Sequence, residues 1–425
     1  MTDCVEIPPI ELTDLQEPLP EVEPAVVQRS TLRYALVLGT LNALGALGID
    51  MYLPAFPLIA HSLGVSVGRV QLSLVSYFVA LALGQVFYGP LSDRYGRRTP
   101  LLVGLTLFTL ASIGSALTTD INMLIGMRFL QGIGACAGSV ISRAVVRDLR
   151  SGEEAARLFA SMLLVLGVSP ILAPLMGSLI TEVFPWQTMF WLLAFLGMLA
   201  FASVWFLLDE SHPTHRRTDG GIGQALRTYG RLLADPRYML PVLSGALSQA
   251  VVFAYLSASP FIYITLHHVA PPVYSMLFAL NAIALIGLAQ ANVVLLRRFG
   301  ARRLVRFAAT LQTVSALVLL TAVIMHFDIL LLVCACFFVC VGMQGLIGPT
   351  SSMLTLEPYP QIAGAASALS GMIGFACAAI SGTLVSAHFN GTGLPSSEVV
   401  AGCAAAGLAV SLLKARSAGQ PAATT

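Results

Sequence analysis

The sequence predicts an all-α polytopic membrane protein made of two related six-helix halves. Composition is the first reason: 56% of the 425 residues are hydrophobic and only 10% charged, where a soluble domain carries about a quarter charged residues. The second is a succession of apolar segments, each near the roughly 20 residues that a helix needs to cross a bilayer. The third is the placement of the arginines, which collect in alternate links between those segments. The formal net charge is only +2, so nothing points to nucleic acid. Mean hydropathy is +0.82.

Taken in order, residues 1–29 are acidic and proline-rich and lack the apolar core of a signal peptide, so they are expected to be a flexible cytoplasmic tail. Apolar spans follow at about 33–57, 70–90, 100–119, 122–145, 156–181 and 188–208. After the longest link come 238–265, 273–296, 304–325, 328–350, 362–386 and a short last one, 397–413, that contains Glu398. The expected organisation is an N-terminal bundle over 30–208, a cytoplasmic linker over 209–237, a C-terminal bundle over 238–415 and a tail over 416–425. Arg94, Arg97 and Arg98 follow the second span, Arg147, Arg150 and Arg157 the fourth. Arg216 to Arg237 follow the sixth span and Arg297 to Arg306 the eighth. Arg69 is the exception on the other side. Arginine-rich links stay inside, so both termini are expected in the cytoplasm.

One carboxylate stands where carboxylates are costly. Asp50 lies in the first span, roughly 25 Å along a helix from Arg33 at about 1.5 Å per residue. An Asp near the middle of a membrane helix costs on the order of 2.5–3.5 kcal/mol, so it is usually paired or functional. In the fourth span Arg128 lies at a similar depth, roughly 12 Å from its outer end. Two opposite charges at one depth are natural partners, although depth does not show contact; bracing through backbone carbonyls is the alternative. Seven cysteines show no disulfide or zinc pattern, and no metal, cofactor or catalytic cluster is expected. Nor is there a phosphate-binding loop for ATP.

The segment Gly89-Pro90-Leu91-Ser92-Asp93-Arg94-Tyr95-Gly96-Arg97-Arg98 fits the pattern G-x-L-x-D-R-x-G-R-R and resembles the signature of the major facilitator superfamily. A fainter copy, Arg297-Arg298-Phe299-Gly300-Ala301-Arg302, follows the eighth span, as expected of a transporter built from two related bundles. The resemblance implies a major facilitator fold, with two pseudo-symmetric six-helix bundles around a central cavity. It also implies a cytoplasmic latch in which Gly89, Asp93, Arg94, Gly96, Arg97 and Arg98 take part and Asp93 faces the start of the eleventh span.

Leu124, Arg128, Gln131, Gly132, Gly134 and Ala135 resemble the fourth-helix motif of drug:proton antiporters in that superfamily. Ser169 to Ser178, with Pro170, Pro174 and Gly177, resembles their fifth-helix motif, with small residues replacing some glycines. Asp50-Met51-Tyr52-Leu53-Pro54, Phe253 to Phe261 and Ala363 to Leu369 are similar to the bicyclomycin/chloramphenicol-resistance (Bcr/CflA) branch. The resemblance implies a monomeric multidrug exporter of a bacterial inner membrane, without cofactor, exchanging protons for small amphipathic compounds. A proton-coupled carrier of a sugar, amino acid or peptide is the alternative on the same fold. Asp50 and Arg128 are the expected proton-coupling pair. Tyr77, Gln85, Gln131, Gln249, Phe253 and Asn281 are candidate cavity residues, as aromatic or amide side chains within apolar spans. Glu182 reads as an interfacial carboxylate, with a second protonation site as the alternative; His267 and His268 read as loop residues.

Overall fold

The computed structural model describes residues 24–150, 152–213 and 222–413. Among them eleven helices are long and apolar enough to cross a membrane. Helix α1 (Pro24–Asp50) is followed by a single 3-10 turn, Leu53–Ala55, and by α2 (Phe56–Leu63). The N-terminal half continues with α3 (Val67–Tyr95), α4 (Arg98–Ala116), α5 (Ile121–Leu149), α6 (Gly152–Val183) and α7 (Gln187–Leu207). Helix α6, with its apolar stretch Gly167–Val183, packs against α1 and supplies the remaining pillar of this bundle. The C-terminal half holds α9 (Pro236–Pro260), α10 (Pro271–Phe299), α11 (Ala301–Ile324), α12 (Leu330–Leu356), α13 (Ala363–Ala387) and α14 (Leu394–Leu412).

Local chemistry explains the boundaries. Ser66, Asp120 and Asp235 cap α3, α5 and α9 by accepting amide hydrogens of the first turn, which satisfies donors left open at a helix start. Pro236 and Pro271 open α9 and α10, where a missing N–H costs nothing. Helices α3 and α10 both end in an aromatic residue followed by glycine, with Gly96 at φ 87° and Gly300 at φ 76°. That left-handed backbone region favours glycine, so the faint sequence repeat is also a repeat of conformation.

The structure corrects four expectations. The backbone is helical from Pro24, inside the segment expected to be tail; residues 1–23 and 414–425 lie outside the described ones. The first span is not one helix, because Pro54 and Pro57 lack the N–H groups that would continue it, and α1 stops at Asp50. The link 209–237 carries a helix, α8 (Ile222–Ala234), which packs on α3, α9 and α13. The last span starts earlier, at Leu394.

The two bundles meet along α3 with α13 and α6 with α10. Hydrogen bonds that join them among the described residues run from Gln71 Nε2 to the Ser257 carbonyl at 3.0 Å, from Ser275 Oγ to the Pro174 carbonyl at 2.9 Å, and from Ser386 Oγ to the Gly68 carbonyl at 2.6 Å. All three lie in the half of the molecule away from the arginine-rich links. That end is closed, and the cavities between the bundles open toward the arginines.

Candidate functional site

Asp50 is the last residue of α1 and is buried, at 6% exposure. It therefore does not face lipid. No hydrogen bond or ion pair joins it to another described residue. Its carboxyl lies within Coulombic reach of Tyr77 on α3 and, across the seam, of Tyr255 on α9 and Tyr274 on α10. Gly177 of α6 closes the other side. A Cβ there would collide with the Met51 carbonyl oxygen, so only glycine lets α6 pass the break in α1.

Arg128 reaches the same turn of α1 but not the carboxylate. It is fully buried, and its Nη2 donates to the Gly48 carbonyl at 2.8 Å. Its Nη1 donates to Gln131 Oε1 at 2.5 Å, and Gln131 Nε2 donates to Ser112 Oγ at 2.7 Å. The guanidinium also sits 4.4 Å from the Tyr77 ring centroid, 4.8 Å from Tyr52 and 5.8 Å from Phe190. Such desolvated cation–π contacts are worth about 2 kcal/mol or more. The reason it binds a carbonyl is the break itself: a helix ending at Asp50 leaves its last carbonyls without intrahelical donors, and the arginine supplies one. The pairing expected from equal depth is thus replaced by bracing through the backbone. Arg128 holds the end of the helix that carries Asp50.

Two adjoining cavities of about 470 and 270 Å³ lie toward the arginine-rich end and share Arg143 and Ser367 in their walls; the larger lies between the bundles, and the smaller is walled by the C-terminal bundle apart from Arg143. The larger is of a size that suits drug-like ligands, for which pockets run to about 300–1,000 Å³. Gln85 lines the larger and Gln249 the smaller. Phe253 forms part of a ring cluster across the seam, 4.5 Å from Phe78 and 5.9 Å from Phe375 by centroid. Neither Phe253 nor the other three expected cavity residues line these walls. Tyr77 donates to the Gly45 carbonyl at 3.1 Å, Gln131 is tied to Arg128, and Asn281 donates to Tyr255 Oη at 2.8 Å. Their polar groups are consumed by neighbours inside each bundle.

Arg143 was not among the candidates. Its Nε donates to the Ser139 carbonyl at 2.9 Å, and it borders both cavities. The signal for it was a second arginine within the fourth span, on nearly the same helical face as Arg128.

At the latch, Arg97 is the hub. It pairs with Asp93 at 2.5 Å and Asp148 at 2.7 Å, and donates to Ser92 Oγ at 2.7 Å. Burial opposes the charge on Arg97, but the hydrogen bond and charge of Asp148, with those of Asp93, hold its proton more firmly than usual. Asp93 faces Ala363 and Gly364, where α13 begins, across the larger cavity, and its bond is to Arg97 within its own bundle. Gly96 makes the expected turn, whereas a Cβ on Gly89 would meet nothing, so that glycine is not a contact point in this arrangement. Arg94 lies over the Tyr95 ring and Arg98 over Trp205. Pro170 and Pro174 lie inside α6. Glu182 is exposed, and among the described residues no cluster of metal ligands occurs.

Comparison with known proteins agrees with this architecture. A model described as Major Facilitator Superfamily matches residues 38–382. An uncharacterized MFS-type transporter, YdgK of Bacillus subtilis, is 37% identical over 81% of this chain and 86% of its own. A bicyclomycin resistance protein homolog of Haemophilus influenzae is 29% identical, covering 88% of this chain and 94% of its own. Among solved structures, a D-xylose-proton symporter superposes with a TM-score of 0.70 at 17% identity, over 90% of this chain and 96% of that one; this likeness is one of fold.

Proposed function

Because the chain belongs to the major facilitator superfamily, we propose that it is a proton-coupled multidrug exporter of a bacterial inner membrane. It moves small amphipathic compounds of the bicyclomycin or chloramphenicol type by alternating access. The observation that carries this reading is the seat of Asp50: buried, without a counter-ion, at a seam that must part for the outward-open state. Similarity to a bicyclomycin resistance protein homolog supports the cargo class.

The arrangement suggests how the proton is coupled. Burying an unpaired charge costs several kcal/mol, and a neutral acid costs far less. The negative end of the α1 dipole adds to the cost of a carboxylate at Asp50. The outer seam therefore closes over Asp50 when it carries a proton. In the arginine-side-open state cargo enters between the bundles, where Gln85, Gln249 and Arg143 offer hydrogen bonds, and the proton leaves to the cytoplasm. The empty carboxylate then favours an open outer seam, where water solvates it, cargo departs and a new proton binds. Arg128 keeps the end of α1 in place throughout. The proton is the only driving partner, with no cofactor, and one monomer suffices. A single charge crossing 100 mV is worth about 2.3 kcal/mol, roughly a 50-fold gradient of neutral cargo.

Proteoliposomes with an imposed proton gradient test this. Chloramphenicol should move against the proton flux in wild type and stop when the gradient is collapsed. Movement in the same direction as the protons would instead indicate an importer.

A further inference from the structure

The matched ends of α3 and α10 invite a comparison of what lies beneath them. In the N-terminal bundle a carboxylate is built in. Glu210, just past α7, accepts the backbone N–H of Arg97 at 2.8 Å and of Arg98 at 3.1 Å, where α4 begins. Asp148 adds a second negative group beside it, paired with Arg97 at 2.7 Å.

In the C-terminal bundle the corresponding place holds a cavity of about 340 Å³ among α9, α11, α12 and α14. Ala301 and Arg302 stand where Arg97 and Arg98 stand in the other half, and Leu413, just past α14, lines the wall. Arg237, Arg302 and Arg306 border the cavity against one carboxylate, Glu357. Among the described residues neither Arg302 nor Arg306 forms an ion pair, and Arg306 Nε donates to the Ser411 carbonyl at 3.2 Å. Two further donors face no partner: Ser244 and Ser351, at 4% and 3% exposure, line the cavity with hydroxyls that make no hydrogen bond. Buried hydroxyls are normally satisfied.

We propose that this cavity binds a phosphate group, carried by an anionic phospholipid or present as free phosphate, which replaces from outside the negative charge that Glu210 provides in the other half. Guanidinium forks and unsatisfied hydroxyl donors lining one cavity suit a tetrahedral oxyanion with several acceptor oxygens. The site lies at the arginine-rich end, at the level where anionic headgroups of the inner leaflet sit. Leu240, Leu354 and Leu413 supply apolar wall beside the arginines. The site shares no wall residue with the larger cavity and adjoins the smaller one through Pro241 and Ser351.

The test uses the full-length purified protein, with phosphatidylglycerol, a phosphate-free diacylglycerol and inorganic phosphate as probes. Bound ligand is counted by native mass spectrometry, and the melting temperature is recorded. Wild type should hold phosphatidylglycerol at least about tenfold more tightly than diacylglycerol, the worth of about one charge-assisted bond. The double change Arg302→Gln and Arg306→Gln should abolish that preference. Leu413→Glu, which places a carboxylate in the cavity wall, should abolish it too while keeping the lipid-free melting temperature at or above that of wild type. A rise in melting temperature with inorganic phosphate alone identifies the free ion as ligand; a rise with phosphatidylglycerol only identifies the headgroup. Equal retention of phosphatidylglycerol and diacylglycerol by wild type would overturn the proposal. So would phosphate or phosphatidylglycerol binding that both variants leave unchanged.

Discussion

At the closed end the two bundles share a shape and divide the chemistry. Helix α1 stops at Asp50 and resumes as a tight 3-10 turn; in the matching place α9 passes at Pro260 into a wider π turn, Phe261–Leu266. On the N-terminal side this irregularity holds the charges, Asp50 and Arg128. On the C-terminal side it holds neutral groups that satisfy one another: Ser259 Oγ with Tyr274 Oη at 3.1 Å, and Asn281 with Tyr255 at 2.8 Å. On the proposed mechanism, one half carries the group that trades a proton and the other is a neutral lid. The lesson is that a duplicated fold needs only one copy of the costly residue, and under the proposed mechanism seam closure reports the protonation of that one copy.

Substitutions on the two sides should therefore differ in kind. The largest effect is expected from Asp50→Asn, which fixes the neutral form. It should reduce proton-driven efflux to background, while membrane insertion and the melting temperature stay near wild type. Efflux assays with and without the proton gradient check this. Next is Arg128→Ala, which leaves the Gly48 carbonyl and Gln131 Oε1 without their charged donor. Bonds to charged groups contribute about 1.5–3 kcal/mol each, so stability should fall by roughly 3–5 kcal/mol in a denaturation series. Gly177→Ala comes third. Its Cβ must push α6 away from Met51, a steric cost of about 1–3 kcal/mol, and transport should drop while the protein still folds. On the neutral side Tyr255→Phe removes one hydrogen bond, worth about 1 kcal/mol; it should lower the melting temperature slightly and leave coupling to protons intact. Loss of coupling in Tyr255→Phe would break the comparison, since the lid would then take part in the proton exchange.

Much of this molecule was legible in its residues. The apolar runs located the spans to within a few positions because a membrane helix must be long and apolar, and the glycines after Tyr95 and Phe299 announced the repeat. The break after Asp50 was foreshadowed by Pro54 and Pro57, yet the uninterrupted hydropathy hid it. Equal depth brought Arg128 to the right turn of α1, but depth carries no information about which acceptor a side chain meets. The open Gly48 carbonyl came into view only once the helix was seen to end. Gln131 and Asn281 shared the composition of cavity residues with Gln85 and Gln249; their bundle-internal partners distinguish them, and those partners lie far away in sequence. Glu210 was hidden for the same reason: its two amide donors are more than a hundred positions upstream.

The most direct test of the account is proton release on cargo binding, measured with purified protein in weakly buffered detergent solution. If Asp50 is the group that gives up its proton to cargo, wild type releases protons when chloramphenicol is added and Asp50→Asn releases none while still binding the drug. Undiminished release from Asp50→Asn would contradict the account and move the coupling to another residue.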